Sequence, residues 1–176
     1  MTQLLPIFCH HITLRRLHPG DLAAFQAYRH DPLVARYQGW SPQTDTGALA
    51  FIHNMQSATL LVPGTWCQLG IADGTSDQLL GDLGLFVASD LARAEIGFSL
   101  ARAAQGQGLA TEAVVAATAL LFAQTQVRTV EGITDARNTA SINLLERLGM
   151  QRTGTTNTHF KGQPCVEYTY QLHRPA

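Results

Sequence analysis

The stretch ARAAQGQGLATEA, residues 101–113, combines residue types that can bind an anion. Two glycines, Gly106 and Gly108, stand immediately before the longest apolar helical pattern of the chain. A helix begins with backbone N–H groups that have no intrahelical partner and with a partial positive charge. Glycines at such a point omit side chains, so an anion can approach the amides closely. We interpret the stretch as a phosphate-binding turn; the alternative is a tight turn in which the glycines serve only backbone geometry.

Two common phosphate-binding patterns fit this turn poorly. The G-x-G-x-x-G dinucleotide pattern normally follows the first strand of a parallel βαβ unit. Here the turn comes in the middle of the chain, after what look like antiparallel hairpins. A nucleoside-triphosphate loop requires Gly-Lys-Ser/Thr, and the turn contains no lysine.

The elements that position the turn follow from hydrophobic periodicity and from turn residues. The predicted order is a strand at 11–17, helical patterns to about residue 57, three antiparallel strands at 65–73, 78–88 and 93–100, a helix at 106–125, a strand at 128–134, a helix at 139–149, and one or two closing strands that include 165–172. This order predicts a mixed α/β (α+β) fold whose sheet contains antiparallel and parallel pairs. The glycine-containing turn then lies at a strand-to-helix junction.

Length and composition predict one folded, soluble domain over residues 1–176. Hydrophobic residues make up 45% of the chain and charged residues 14%, which is typical of a globular protein. The net charge of -1 gives no overall field to attract nucleic acid or an anionic membrane. Because the chain has neither an 18-residue apolar run nor a basic, apolar leader, we expect no membrane span and no signal peptide. We expect a cytoplasmic protein.

Neither cysteines nor histidines suggest a metal site. Cys9, Cys67 and Cys165 are odd in number and widely spaced, which fits neither a disulfide framework nor zinc. His10 and His11 are adjacent and would point to opposite faces of a strand, so no metal is expected. Cys67 and Cys165 could relay an acyl group as nucleophiles, or they could be inert core residues.

Three segments resemble the GNAT superfamily of acetyl-CoA-dependent N-acetyltransferases. QGQGLA at 105–110 matches the Q/R-x-x-G-x-G/A pyrophosphate loop of these enzymes, and AEIGFSL before it resembles their fourth strand. NTASINLLERLGMQRTG at 138–154 resembles the N-x-x-S-x-x-L-x-x-x-G-F segment of the RimJ/RimL type, the ribosomal-protein alanine acetyltransferases, with Met150 where Phe is usual. The opening of the chain also resembles this type, so that the resemblance covers residues 12–172.

The resemblance implies a GNAT fold with a splayed strand pair in a central mixed sheet and helices on both faces. It also implies acetyl-CoA as cosubstrate and no metal. The backbone amides of Gln105, Gly106, Gln107, Gly108, Leu109 and Ala110 are expected to hold the CoA pyrophosphate. Thr111, whose hydroxyl lies near the first turn of the helix, is also expected to bind the cofactor. The strand 96–100 is expected to pair with the pantetheine arm through Phe98, Ser99 and Leu100, which is strand addition by a ligand. A backbone N–H at Phe98 or Ser99 would polarise the thioester carbonyl.

The resemblance also suggests roles for the segment that begins at Asn138. Asn138, Ser141 and Asn143 are expected to meet the CoA arm. Ser141 is the candidate that protonates the leaving thiolate, where many GNAT enzymes use tyrosine. The alternative for Asn138 and Ser141 is helix capping.

The base and the acceptor pocket are less clearly marked by the sequence. Glu95 could deprotonate the amine directly or through water, or it could serve structure alone. Asp82 is a second, weaker candidate on the acceptor side. Tyr37 and Trp40 could line the acceptor pocket, or they could fill a corner of the core.

The sequence therefore predicts transfer of acetyl from acetyl-CoA to a primary amine by direct attack in a ternary complex. The favoured acceptor is a protein or peptide N-terminus. One alternative is a small-molecule amine such as an antibiotic, a polyamine or an amino-acid derivative. Another is a sensor that binds acyl-CoA without catalysis. No nucleic-acid or membrane partner is expected, and the chain would be a monomer or a homodimer.

Overall fold

The computed structural model describes residues 4–175. Part of the expectation about a leader falls on residues 1–3, which lie outside these. The helices and strands, in chain order, are β1 (Ile7–Phe8), β2 (Ile12–Arg16), α1 (Leu22–Arg29), α2 (Pro32–Ala35), α3 (Asp45–Ser57), β3 (Trp66–Asp73), β4 (Leu79–Val87), β5 (Arg93–Leu100), α4 (Leu109–Gln124), β6 (Thr129–Asp135), α5 (Thr139–Arg147), β7 (Gln151–Phe160) and β8 (Gln163–His173). Short 3-10 turns precede α1 and α4. No helix in this part of the chain is long and apolar enough to cross a membrane.

The strands form one mixed sheet in the order β1-β2-β3-β4-β5-β6-β8-β7. The β5–β6 pair is parallel and the other neighbouring pairs are antiparallel. The predicted mixed α/β fold is thereby confirmed.

The structure differs from the predicted elements at three places. The closing region is a hairpin of two strands, the larger of the two numbers predicted, and only the position of β7 was not predicted. Its sequence QRTGTTNTHF is almost entirely polar and gives no alternating signal. The two-residue strand β1 was not predicted. Helix α4 begins at Leu109 and not at Gly106, because Gly106 and Gly108 have φ of 74° and 80°, in the left-handed region.

Helices cover both faces of the sheet, as predicted. Helices α4 and α5 pack on one face, where the larger core includes Leu83, Ile96 and Leu121. Helices α1 and α3 pack on the other face, around Phe25 and Ile52. This second layer contacts mainly β3 and β4, so β5 and β6 are less covered on that face.

The parallel pair β5–β6 separates part of the way along its length. Pairing runs from Arg93 opposite Thr129 to Ile96 opposite Gly132. Both strands continue past that point, β5 to Leu100 and β6 to Asp135. The sheet therefore opens into a V, which is the splayed pair that the resemblance implies.

A buried ion pair attaches α1 to β4. Asp82 is fully buried, and its carboxylate accepts hydrogen bonds from Arg29 Nη2 at 2.8 Å, from Gln68 Nε2 at 2.8 Å and from the Tyr28 hydroxyl. Burial, and then the charge of Asp82, raise the pKa of Tyr28 well above its ordinary value, so this hydroxyl stays a donor. The interpretation of Asp82 as an acceptor-side residue or base is wrong, because both carboxylate oxygens are engaged inside the protein.

We predict that Asp82→Ala destabilises the fold by about 3–5 kcal/mol, because it leaves the Arg29 charge buried without its partner. Equilibrium urea unfolding measures this change. Asp77→Asn is the control, since Asp77 also pairs with an arginine, Arg15, at 2.7 Å but is exposed, and asparagine tolerates its left-handed backbone, with φ of 59°. Its loss should cost at most about 1 kcal/mol. Equal losses for the two variants would contradict the structural role of Asp82.

Candidate functional site

The V between β5 and β6 opens into a cleft of about 610 Å³. Its walls come from these two strands, the beginnings of α4 and α5, and residues after α2. The cleft brings together nearly all of the residues predicted to bind the cofactor: Phe98, Ser99, Leu100, Gln105, Gly106, Gly108, Leu109, Ala110, Thr111, Asn138, Ser141 and Asn143. Residues up to 45 positions apart in sequence thus share one site.

The glycine turn, residues 105–111, has the geometry of an anion-binding helix start. Gly108 is the N-terminal cap of the 16-residue helix α4. A Cβ added to Gly106 or Gly108 would have no other atom within 4 Å, so both glycines border open space. Their positive φ also disfavours any other residue. The free N–H groups of the first turn of α4 therefore face a space that an anion can fill.

Two glutamine side chains brace this turn. Gln105 Nε2 donates to the Leu100 carbonyl oxygen at 3.0 Å, and Gln107 Nε2 donates to the Ala103 carbonyl oxygen at 2.8 Å. The Gln107 side chain does not border the cleft. Of the groups of Gln107, only the backbone N–H is therefore left to bind a ligand.

The hydrogen-bonding direction of β5 identifies the backbone groups that face the cleft. In an antiparallel pair, successive residues direct their N–H and C=O groups alternately toward and away from the partner strand. Ala101 N–H donates to the Leu80 carbonyl beside β4, and the Arg93 carbonyl accepts from Ala88 N–H. The odd-numbered residues of β5 therefore face β4, whereas Phe98 and Leu100 face the cleft. Of the two candidates for the polarising N–H, Phe98 has the right direction and Ser99 does not.

The beginning of α5 forms the opposite wall. Asn138 caps this helix, and its Oδ1 accepts a hydrogen bond from Ser141 N–H at 3.2 Å. The capping alternative therefore applies to Asn138. Asn138 and Ser141 also border the cleft, so capping and ligand binding do not exclude each other here.

Glu95 lies beside the cleft and not within its wall. It is half-buried on β5, opposite Glu131 of β6. Burial is the main cause that raises the pKa of Glu95, and the charges of Glu131 and Glu167 raise it further. Gly97 is two residues along the same face, and a Cβ there would meet no other atom within 4 Å. An open surface thus connects Glu95 with the cleft.

The two aromatic candidates for the acceptor pocket have different positions. Tyr37 borders the cleft, and its hydroxyl donates to the Arg137 carbonyl oxygen at 3.4 Å. Trp40 packs against the core under α1 and α3, with the Arg29 guanidinium 4.6 Å from its ring centroid. Trp40 is half-buried and does not border the cleft, so its position favours the alternative, a residue that fills a corner of the core.

The segment 31–38, which we name the α2 segment, crosses the open end of the V. Arg102 Nε contacts the Asp31 carboxylate at 2.5 Å, and the ammonium of Lys161, the only lysine of the chain, donates to the Ala35 carbonyl at 2.8 Å. Gln38 Nε2 donates to the Phe98 carbonyl at 3.1 Å. Sequence reasoning missed these contacts. Their partners are 60 to 126 positions apart, and polar loop residues carry no periodic signal.

Other reactive groups are engaged or suppressed. His11 contacts Glu112 through its backbone N–H at 2.8 Å and through its ring at 3.1 Å. Burial raises the pKa of the Cys67 and Cys165 thiols, which keeps them protonated and makes them poor nucleophiles. Within residues 4–175, no group of three or more His, Cys, Asp or Glu side chains could hold a metal ion.

Sequence comparison finds relatives along most of the chain. The sequence model of the acetyltransferase (GNAT) domain matches residues 11–151. The uncharacterized N-acetyltransferase p20 of Bacillus licheniformis is 28% identical over 169 residues, which cover 94% of this chain and 94% of that protein.

Solved structures share the architecture. A GNAT-family acetyltransferase from Bacillus anthracis aligns with a TM-score of 0.84 at 19% identity, over 96% of this chain and 98% of that one. RimL, a ribosomal L7/L12 α-N-protein acetyltransferase solved with coenzyme A, aligns with a TM-score of 0.80 at 15% identity, over 95% and 96% of the two chains. At these identities the likeness concerns the fold, and it confirms the predicted one.

We predict that Glu95→Gln raises the melting temperature near pH 8 but not near pH 4. A carboxyl whose pKa is raised by folding contributes stability that is complete below its unfolded pKa of about 4.3 and is lost as the pH rises through the folded pKa. The neutral amide avoids that loss. Thermal unfolding at the two pH values measures the effect, and an equal difference at both would show that the carboxyl is not perturbed.

Proposed function

Since the chain belongs to the acetyltransferase (GNAT) family, we propose that it transfers acetyl from acetyl-CoA to a primary amine, most readily the α-amine of a protein or peptide N-terminus. The observation that carries this proposal is the V between β5 and β6, with the glycine turn at its open end and Glu95 beside its closed end. These features supply an anion site, an unpaired strand edge and a base around one cleft.

The residues present fit acetyl-CoA. The N–H groups of the glycine turn face open space at the start of α4, which suits a pyrophosphate. Phe98 and Leu100 direct backbone groups into the V, where the two amides of a pantetheine arm can pair as an added strand. Asn138 and Asn143 border the same space from α5.

Phe98 N–H is the donor that we assign to the thioester carbonyl. Phe98 is two residues beyond Ile96, the last residue of β5 that pairs with β6, and its backbone groups point to the same side of the strand. A donor fixed in the sheet requires no reorganisation as negative charge develops on that oxygen. This preorganised position is the contribution of β5 to the reaction.

Glu95 is the base that we assign to the amine. Its raised pKa brings it closer to neutral pH, where a general base works best. A peptide α-amine with a pKa of 7.7–8.0 loses its proton at pH 7 at a cost of about 1 kcal/mol, whereas a lysine amine near 10.4 requires roughly 4.6 kcal/mol. A single half-buried carboxylate is therefore better matched to an α-amine.

Ser141 is the donor that we assign to the leaving thiolate. Its backbone N–H is held by Asn138, which fixes the start of α5 beside the cleft. Its hydroxyl remains able to donate one hydrogen bond. With Phe98 and Glu95, it completes a set of one oxyanion donor, one base and one acid.

We predict that Gly108→Glu lowers the affinity for coenzyme A at least a hundredfold, because it places a side chain and a negative charge at the start of α4. Isothermal titration calorimetry with coenzyme A measures the loss. Gly149→Glu is the matched control, since Gly149 has φ of 78°, borders open space and lies outside the cleft wall. It should bear the same backbone strain and retain binding, and equal losses for the two variants would contradict the assigned pyrophosphate site.

We predict acetyl-CoA turnover with peptides that carry a free N-terminus, measured as thiol release and as mass gain of the peptide. Peptides with a blocked N-terminus and an internal lysine, a polyamine and an aminoglycoside complete the panel. Glu95→Gln should lower kcat at neutral pH by about 10²–10⁴, the usual worth of a general base, while coenzyme A affinity is retained.

The panel also separates the alternatives. Turnover of the polyamine or the aminoglycoside alone would favour a small-molecule acceptor. Coenzyme A binding without thiol release on any amine would favour the acyl-CoA sensor and contradict the proposed function.

A further inference from the structure

We infer that Gln38 competes with the pantetheine arm for the Phe98 carbonyl and so sets the affinity for acyl-CoA; this inference rests on the proposed function. The side chain of Gln38 ends in a primary amide, whose N–H groups are donors like those of the two secondary amides of the arm. Its Nε2 donates to the Phe98 carbonyl oxygen at 3.1 Å. Gln38 is half-buried and borders the cleft.

The Phe98 carbonyl lies where an added strand would pair. Pairing of β5 with β6 ends at Ile96, so Phe98 is the next residue whose backbone groups turn toward β6. An extended ligand between the strands needs this carbonyl as an acceptor for one of its N–H groups. The Gln38 carboxamide lies in that gap, so that the ligand and the side chain meet the same oxygen from the same side.

The contact at Phe98 differs from the one at Leu100, the other residue of β5 whose backbone groups face the cleft. The Leu100 carbonyl also binds a glutamine, through Gln105 Nε2 at 3.0 Å. Gln105 belongs to the glycine turn and follows Leu100 closely in sequence, so its contact braces the local chain. Gln38 reaches Phe98 from the α2 segment, 60 positions away in sequence.

The α2 segment does not depend on Gln38 for its position. Asp31 is held by Arg102, Ala35 by Lys161, and Tyr37 by the Arg137 carbonyl. These contacts fix the segment to the chain before α4, to the β7–β8 turn and to the loop before α5. Gln38 can therefore leave the Phe98 carbonyl by rotation of its own side chain, and substituting it leaves these three contacts in place.

The experiment compares coenzyme A with 3′-phosphoadenosine 5′-diphosphate, the nucleotide half that lacks the arm. Gln38→Met keeps a side chain of similar length without the amide, and Gln38→Ala removes it. Both variants should bind coenzyme A two- to tenfold more tightly than the wild type, roughly the worth of one hydrogen bond. Neither should change the affinity for the nucleotide half. Calorimetry of each protein with both ligands gives these ratios.

Gln26→Met is the control, because the Gln26 amide binds the Gln43 carbonyl at 2.9 Å and lies outside the cleft wall. It should leave both affinities unchanged. Unchanged or weaker coenzyme A binding by Gln38→Met would overturn the inference. So would tighter binding by Gln38→Ala alone, which would indicate added space, or an equal gain for both ligands. A wild-type protein that binds no coenzyme A would instead overturn the proposed function itself.

Discussion

The separation of β5 from β6 after Ile96 and Gly132 is the constraint on which the rest of the site depends. A parallel pair that stayed closed would satisfy its own backbone groups and leave no room for a ligand. By parting, the strands expose backbone acceptors and donors of two central strands of the sheet. The helices then fill in the remaining walls: α4 provides its N-terminus, and α5 follows directly from the end of β6.

The two faces of the sheet contribute different features around this opening. On one face, α4 and α5 pack against the larger core and carry the proposed anion site and the Asn138 cap. On the other face, α1 and α3 leave the strand around Glu95 and Gly97 accessible. In the proposed reaction the cofactor arm and the amine approach the V from opposite sides. The buried Arg29–Asp82 pair attaches α1 to β4 beside it.

Local patterns revealed the glycine turn, the strand before it and the cap at Asn138, because each of these depends on neighbouring residues. The sequence gives no signal for the point at which β5 and β6 separate, since Ile96 and Phe98 are both apolar residues of the same strand pattern. Asp82 was misread for a related reason: a carboxylate in a strand pattern suggests an accessible face, and its partner Arg29 is 53 positions away. A second closing strand was allowed for but had no predicted position, because an edge strand with both faces in water, such as β7, needs no apolar alternation.

Lys161 offers a site for chemical labelling of the protein. An enzyme that acetylates amines carries one lysine side chain of its own, and that side chain is held at the rim of the cleft by the Ala35 carbonyl. Among the side chains, a reagent that modifies lysines therefore reacts at one position, at the junction between the β7–β8 turn and α2. The protein thus contains a natural attachment point for a spectroscopic label that reports on the mouth of its site without any cysteine having to be introduced.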